Sequence, residues 1–198
     1  MSKSVWETTS RIETLVDGIF AIAMTLLVLS IDVPQLAYPV SNDLIIKSLF
    51  DLSSNFFNYA LSFVLLAIFW RVNHQQFYRI KRTDGLFLWI TVIWLLFVVL
   101  VPFSTSLTGD YGYLEVPQIF FNLNLFAIGV MQTLIWYYAT EKKYVDKELT
   151  QEEIRKSRRT NLILPIVSLI AIGVAFISPS WSGLTYAFIP LVKKIIER

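Results

Sequence analysis

The chain has 198 residues, of which 55% are apolar and 16% are charged, and its mean hydropathy is +0.57. A soluble domain carries about 25% charged residues and lacks repeated segments of about 20 residues that are nearly free of charge. This composition indicates a membrane protein and excludes a nucleic-acid binder. The net charge of +2 implies no acidic partner, and the absence of cysteine excludes disulfides and thiolate metal sites.

Six apolar segments follow one another along the chain when it is scanned with a window of about 19 residues. They lie near residues 12–33, 52–72, 86–108, 116–139, 161–178 and 181–196. The fifth contains Pro165, and the sixth reaches only Val192 before Lys193 and Lys194, so these two are the weakest. The sequence predicts an all-α polytopic membrane protein with six transmembrane helices, forming one domain over residues 1–198.

Lysine and arginine are distributed unequally between the two ends of these segments. Sixteen of the 17 cationic side chains lie at the chain termini, between the second and third segments, or between the fourth and fifth, whereas Lys47 falls on the other side. Cytoplasmic loops carry an excess of Lys and Arg. We therefore expect both termini to be cytoplasmic.

The first apolar segment contains a carboxylate, Asp17. An ionised group in the hydrocarbon region costs at least ~2.5 kcal/mol, so we expect Asp17 to face the protein interior and to find a donor. At 100° per residue, Ile22, Leu26 and Leu29 form an apolar stripe, and Asp17 points to the opposite side. Aliphatic stripes of membrane helices usually face lipid or the core, so periodicity alone favours that ordinary role for the stripe.

Three short segments carry a family resemblance. Arg11 is followed by Leu15-Val16-Asp17-Gly18 and a long apolar run, Phe69 to Phe77 includes Trp70 and His74, and Leu100 to Thr105 contains Pro-Phe-Ser. Together they resemble the signature segments of the transmembrane protein 175 potassium channel family. Leu15, Val16 and Asn73 depart from its pattern, which has Phe, Ser and a first paired His there. These departures imply that the hydrogen-bond network of the family is rewired here.

The resemblance implies a potassium-selective ion channel, and the chain contains no Thr-Val-Gly-Tyr-Gly loop of the usual carbonyl filter. It implies a homotetramer in the lipid bilayer whose pore is lined by the first helices, about residues 11–33. Monovalent cations would pass a constriction formed by Ile22, Leu26 and Leu29, with Thr25 contributing to selectivity. The implied supporting network comprises Arg11, Asp17, Trp70, Asn73 and His74. A chain with a single unit looks prokaryotic, which implies a multi-pass protein of the plasma membrane.

Several alternatives remain open from the residues alone. A secondary cation or proton-coupled transporter would use Asp17 as its coupling carboxylate, and a non-conducting scaffold fits the same six segments. An enzyme is not expected, because a membrane enzyme would need clustered acids, His or Ser. Arg11 fits either a topology anchor or an ion pair. With one histidine, His74, and no cysteine, we expect no metal site and no cofactor other than the permeant K⁺.

Overall fold

The computed structural model describes residues 9–189, Val192 and Lys194, and these residues form a bundle of helices. The helices are α1 (Thr9–Leu26), α2 (Asn42–Asp51), α3 (Ser53–Arg79), α4 (Gly85–Val99), α5 (Val101–Tyr111), α6 (Glu115–Glu141), α7 (Gln151–Asn161), α8 (Ile163–Ile177) and α9 (Pro179–Ser182). Short 3₁₀ helices continue α1 over Leu27–Ser30 and α9 over Gly183–Phe188. The all-α prediction is confirmed.

Five helical stretches within the described residues are long and apolar enough to cross a membrane. They are Thr9–Ser30, Ser53–Arg79, Gly85–Tyr111, Glu115–Glu141 and Gln151–Ile177. These stretches agree with the first five predicted segments. The sixth predicted segment, 181–196, lies partly outside the described residues, and its residues 181–188 form the end of α9 and the 3₁₀ helix that follows. The polytopic fold is therefore confirmed, and five of the six predicted transmembrane helices are found within the described residues.

The start of this sixth segment is anchored to α6 by buried hydrogen bonds. Ser182 Oγ donates to Gln118 Oε1 at 2.9 Å, and Tyr186 Oη donates to Asn122 Oδ1 at 2.8 Å. All four side chains are buried. Because an unpaired amide or hydroxyl is costly in an apolar interior, these bonds fix how the chain after α8 packs on α6.

Two helix backbones approach each other closely where α6 meets α8. A Cβ on Gly129 would lie 2.7 Å from Pro165 Cδ and 3.0 Å from Leu164 Cδ2, so glycine allows this approach. Pro165 has no N–H for the carbonyl of Asn161 four residues earlier. The Thr133 hydroxyl, which donates to the carbonyl of Gly129 at 2.8 Å, also lies within hydrogen-bond distance of the Asn161 carbonyl at 3.3 Å. The proline of the fifth segment is thus accommodated by two residues of α6.

Helix starts follow local sequence signals. Thr150 and Glu153 form the reciprocal capping box that the spacing predicts at the start of α7. α2 occupies a loop for which the hydropathy pattern predicts no span. Ser41 caps it by accepting a hydrogen bond from Leu44 N at 3.3 Å, and none of its side chains is buried.

Candidate functional site

α1 presents two different faces to its surroundings. One face packs against α3, α4 and α5 and buries Ile12, Val16, Phe20, Ala23 and Leu27, with the ring of Phe20 5.4 Å from that of Trp94. These positions recur every three or four residues, which is the spacing of one helix face. The opposite face is exposed among the described residues of the chain.

The predicted constriction residues lie on that opposite face. Ile22 is 55% exposed, Leu26 40% and Leu29 70%. The α-helix ends at Leu26, and Leu29 lies in the 3₁₀ helix that ends at Ser30, so the helical part is shorter than the predicted range of about 11–33. In an isolated chain these side chains are available to lipid or to other copies.

Thr25 lies on the same exposed side of α1. Its hydroxyl donates a hydrogen bond to the carbonyl of Ile22 at 2.8 Å. Because that bond uses the only hydroxyl hydrogen, the oxygen lone pairs of Thr25 are left as its acceptors. The side chain can therefore offer an oxygen, but no further donor, to whatever faces α1.

Asp17 is connected to α3 of its own chain. Trp70 Nε1 donates to Asp17 Oδ1 at 2.8 Å. The ring of His74, one turn further along α3, stacks on the ring of Trp70 at 5.6 Å with 21° between the planes. The structure therefore brings Asp17, Trp70 and His74 together in one cluster on the exposed side of the α1–α3 contact.

The two remaining residues of the predicted network are placed differently. Asn73 is buried on α3, and its Nδ2 has no hydrogen-bond partner among the described residues. Arg11 is exposed in the first turns of α1. Asn73 turns to the interior because it follows the buried Phe69 by four residues and shares its helix face, whereas His74 follows the exposed Trp70 by four. The roles of all five residues stay predictions.

Asp84 forms a polar centre that sequence analysis missed. Its Oδ1 accepts the N–H of Phe87 at 2.8 Å, which caps α4, and its Oδ2 accepts the hydroxyls of Tyr138 at 2.7 Å and Tyr144 at 2.9 Å. Burial alone would raise the pKa of Asp84, but these hydrogen bonds and the nearby Lys142 outweigh it and lower the pKa below its ordinary value. The Asp-Gly start of α4 could have indicated the cap, but not the two tyrosines.

No group of three His, Cys, Asp or Glu side chains in the described part of the chain could hold a metal ion. His74 therefore takes part in a ring contact rather than in a cluster of ligands. The expectation that no metal or cofactor is needed stays a prediction.

Comparison with known proteins identifies the family. A family model described as "Endosomal/lysosomal potassium channel TMEM175" matches residues 11–102. The potassium channel Cha6605_3372 of Chamaesiphon minutus is 30% identical over 187 residues, which cover 91% of this chain and 90% of that one. The chain belongs to the TMEM175 family. The residues of this chain that the family model matches include the exposed face of α1 and the Asp17–Trp70 pair.

Two solved structures share the fold. The crystal structure of a lysosomal potassium-selective channel TMEM175 homolog from Chamaesiphon minutus superposes with a TM-score of 0.81 at 27% identity, covering 96% of this chain and 98% of that one. A variant of the potassium channel MtTMEM175, in complex with a nanobody fusion protein, superposes with a TM-score of 0.64 at 19% identity, covering all of this chain and 95% of that one. At 19% identity the likeness supports the fold alone.

Proposed function

We propose that this TMEM175 protein is a potassium channel in which the exposed faces of α1 from four copies surround the pore. The observation that carries the proposal is the asymmetry of α1, which buries one stripe inside its own chain and leaves Ile22, Leu26 and Leu29 exposed. The relative from Chamaesiphon minutus is named a potassium channel, and the match covers nearly the whole of both chains.

The proposed pore selects ions by dehydration. A narrow apolar ring sheds water, and the ion that gives up its hydration shell at lower cost passes more readily. Potassium holds its water less tightly than sodium, so rings of Ile22, Leu26 and Leu29 favour potassium. Ile22 lies 11 residues after Arg11, about 16 Å along the helix axis, which places the ring deep in the bilayer.

The supporting contacts orient α1 in this proposal. Trp70 holds the Asp17 carboxylate toward α3, so that the charge is kept out of the apolar rings. The oxygen of Thr25 lies one residue before Leu26 and faces the same side, where it supplies a polar contact for a partly dehydrated cation. Arg11, Asn73 and His74 complete the network at the cytoplasmic half.

The proposal extends to the setting of the channel. The protein forms a homotetramer, takes up no metal or cofactor besides the permeant K⁺, and carries out no enzymatic reaction. It resides in the plasma membrane of a prokaryotic cell, and its 198 residues act as one domain. A uniform α-helix over Thr9–Leu26, with its carboxylate already bonded by Trp70, favours a channel over a transporter that uses Asp17.

Potassium and sodium flux into liposomes, measured with the purified protein, tests this function. We expect wild type to pass potassium in preference to sodium, and Leu26→Ala to raise the sodium flux severalfold by widening the ring. Leu169→Ala is the matched control, because Leu169 is also exposed but lies on α8, which packs on α6, α7 and α9. Native mass spectrometry of each variant checks that four chains assemble.

Two results would overturn the assignment of the pore. One is a folded tetramer that passes neither ion. The other is a Leu26→Ala variant whose ratio of potassium to sodium flux equals that of Leu169→Ala.

A further inference from the structure

A cavity at the end of the bundle that we expect to be cytoplasmic lies outside the proposed pore. It has a volume of about 260 Å³ and opens to the surface between the end of α3, α6 and α7, with Gln76, Arg79, Trp136, Lys156 and Asn161 among its lining residues. We call it the polar cavity. It lies where the charged helix α7 gives way to the apolar helix α8, and we place the membrane surface at this change of composition.

Three buried side chains of the polar cavity have polar atoms without a partner. Gln76 Nε2 donates to Asn161 Oδ1 at 2.9 Å, which leaves Gln76 Oε1 and Asn161 Nδ2 without a hydrogen bond among the described residues. Trp136 Nε1 also has no hydrogen-bond partner among the described residues. Gln76, Asn161 and Trp136 are 4%, 8% and 2% exposed. A single hydrogen bond between two side-chain amides always leaves one NH₂ group and one carbonyl oxygen without a partner. Flipping both amides therefore does not satisfy these two polar groups.

The rim of the polar cavity carries positive charge. Arg79 and Lys156 line it, and neither is in an ion pair with another described residue. Glu153 lines it too, but its Oε2 accepts the N–H and the hydroxyl of Thr150, both at 2.9 Å. The Glu153 carboxylate caps α7 but stays ionised and interacts with the charge of Arg79. The two cations of the rim still outnumber its one carboxylate, so the rim suits an anion with hydrogen-bonding oxygens.

An apolar groove continues from the polar cavity toward the membrane interior. It shares Val72, Thr160 and Asn161 with the cavity, has a volume of about 80 Å³, and is otherwise lined mainly by apolar side chains. These are Ile68, Phe69, Ile163, Leu164 and Ile189. A cationic, hydrogen-bonding site at the membrane surface that opens into an apolar groove matches the two halves of a phospholipid.

We propose that this site binds one anionic phospholipid of the cytoplasmic leaflet. The phosphate lies between Arg79 and Lys156, the polar headgroup meets the amides of Gln76 and Asn161, and the start of an acyl chain follows the apolar groove. The site is separate from α1, so binding here is independent of whether α1 forms the pore.

Native mass spectrometry of the protein from mixed phosphatidylglycerol and phosphatidylcholine nanodiscs tests the proposal. We expect wild type to retain phosphatidylglycerol in preference to phosphatidylcholine. Lys156→Gln and Arg79→Gln each lower that preference by about fivefold, the effect of removing one cation near a phosphate. Arg155→Gln is the matched control, because Arg155 is the neighbouring cation on α7 but does not line the polar cavity. Thermal unfolding of each variant shows whether it is folded.

Glycerol phosphate and inorganic phosphate, added as competitors, separate the lipid from a soluble anion. Retention of phosphatidylglycerol in a large molar excess of glycerol phosphate supports the lipid, because only the lipid also fills the groove. The proposal is overturned if a soluble phosphate displaces the lipid completely, or if wild type retains both lipids equally. It is also overturned if Arg155→Gln reduces retention as much as Lys156→Gln does.

Discussion

α1 and the α6–α8 pair are both apolar membrane helices, yet their surfaces are used in opposite ways. Gly129 lets α6 approach Pro165 of α8 so closely that a single methyl group would collide. α1 is packed on one face only, and a Cβ on its Gly18 would meet nothing within 4 Å. Apolar composition alone therefore does not decide whether a helix face is buried. The size of individual side chains determines which helix faces pack against each other within one chain.

The sharpest test of the close contact between α6 and α8 is a methyl group added at Gly129. Gly129→Ala forces its Cβ against Pro165, and overpacking of this kind costs about 1–3 kcal/mol. We expect a matching fall in the free energy of unfolding, measured by denaturation in mixed micelles.

Gly173→Ala is the control for that substitution. Gly173 lies on α8 itself, and a Cβ there meets nothing within 4 Å, so alanine should be neutral or stabilise the helix by up to about 1 kcal/mol. Equal stability of the two variants would contradict the close contact.

The single hydrogen bond between Asp17 and α3 allows a smaller test on the α1 side. Trp70→Phe keeps an aromatic ring beside His74 but removes the donor to Asp17. We expect the free energy of unfolding to fall by about 0.5–1.5 kcal/mol. Trp89→Phe, at an exposed position of α4, should leave it unchanged. If both variants unfold alike, the Asp17–Trp70 bond contributes nothing to the attachment of α1.

The smallest expected effect concerns Asp84, which links α4 to the end of α6. Its pKa is lowered in the folded protein, so its ionised form stabilises the fold above the ordinary value of 3.8, and this contribution is lost as the pH falls through the lower folded-state value. Asp84→Asn should be slightly less stable at neutral pH, by at most about 1 kcal/mol, because an amide oxygen still accepts hydrogen bonds.

Thermal unfolding as a function of pH checks this prediction. The difference between wild type and Asp84→Asn should shrink as the pH falls below 3.8. Asp32→Asn, at an exposed position, should follow wild type at every pH. A constant difference for Asp84→Asn down to the acid limit would show that the charge of Asp84 does not stabilise the fold.

Hydropathy predicted the described membrane helices well because each of them is a local property of about 20 consecutive residues. The capping box at Thr150 and Glu153 was predictable for the same reason, since its two partners are three residues apart. α2 was not predicted as a helix, although Ser41 supplies its cap, because ten residues without a buried side chain produce no span-length signal.

The site was predictable only in part. Periodicity separated the stripe of Ile22, Leu26 and Leu29 from Asp17 on α1, although Asp17 is exposed as well, and the family resemblance brought Trp70 and His74 into the same hypothesis. It could not distinguish which of them would reach the carboxylate. Tyr138 and Tyr144 stand 54 and 60 residues from Asp84, and one sequence contains no signal for contacts at that distance.

The exposed stripe of α1 also determines what can drive assembly. In water such a stripe would force chains together, but acyl chains solvate it as well as a neighbouring helix does. The proposed tetramer therefore gains little from the hydrophobic effect and depends on close packing between copies. Its population should follow the number of chains per lipid molecule, so diluting the protein with bilayer, rather than with buffer, will dissociate it.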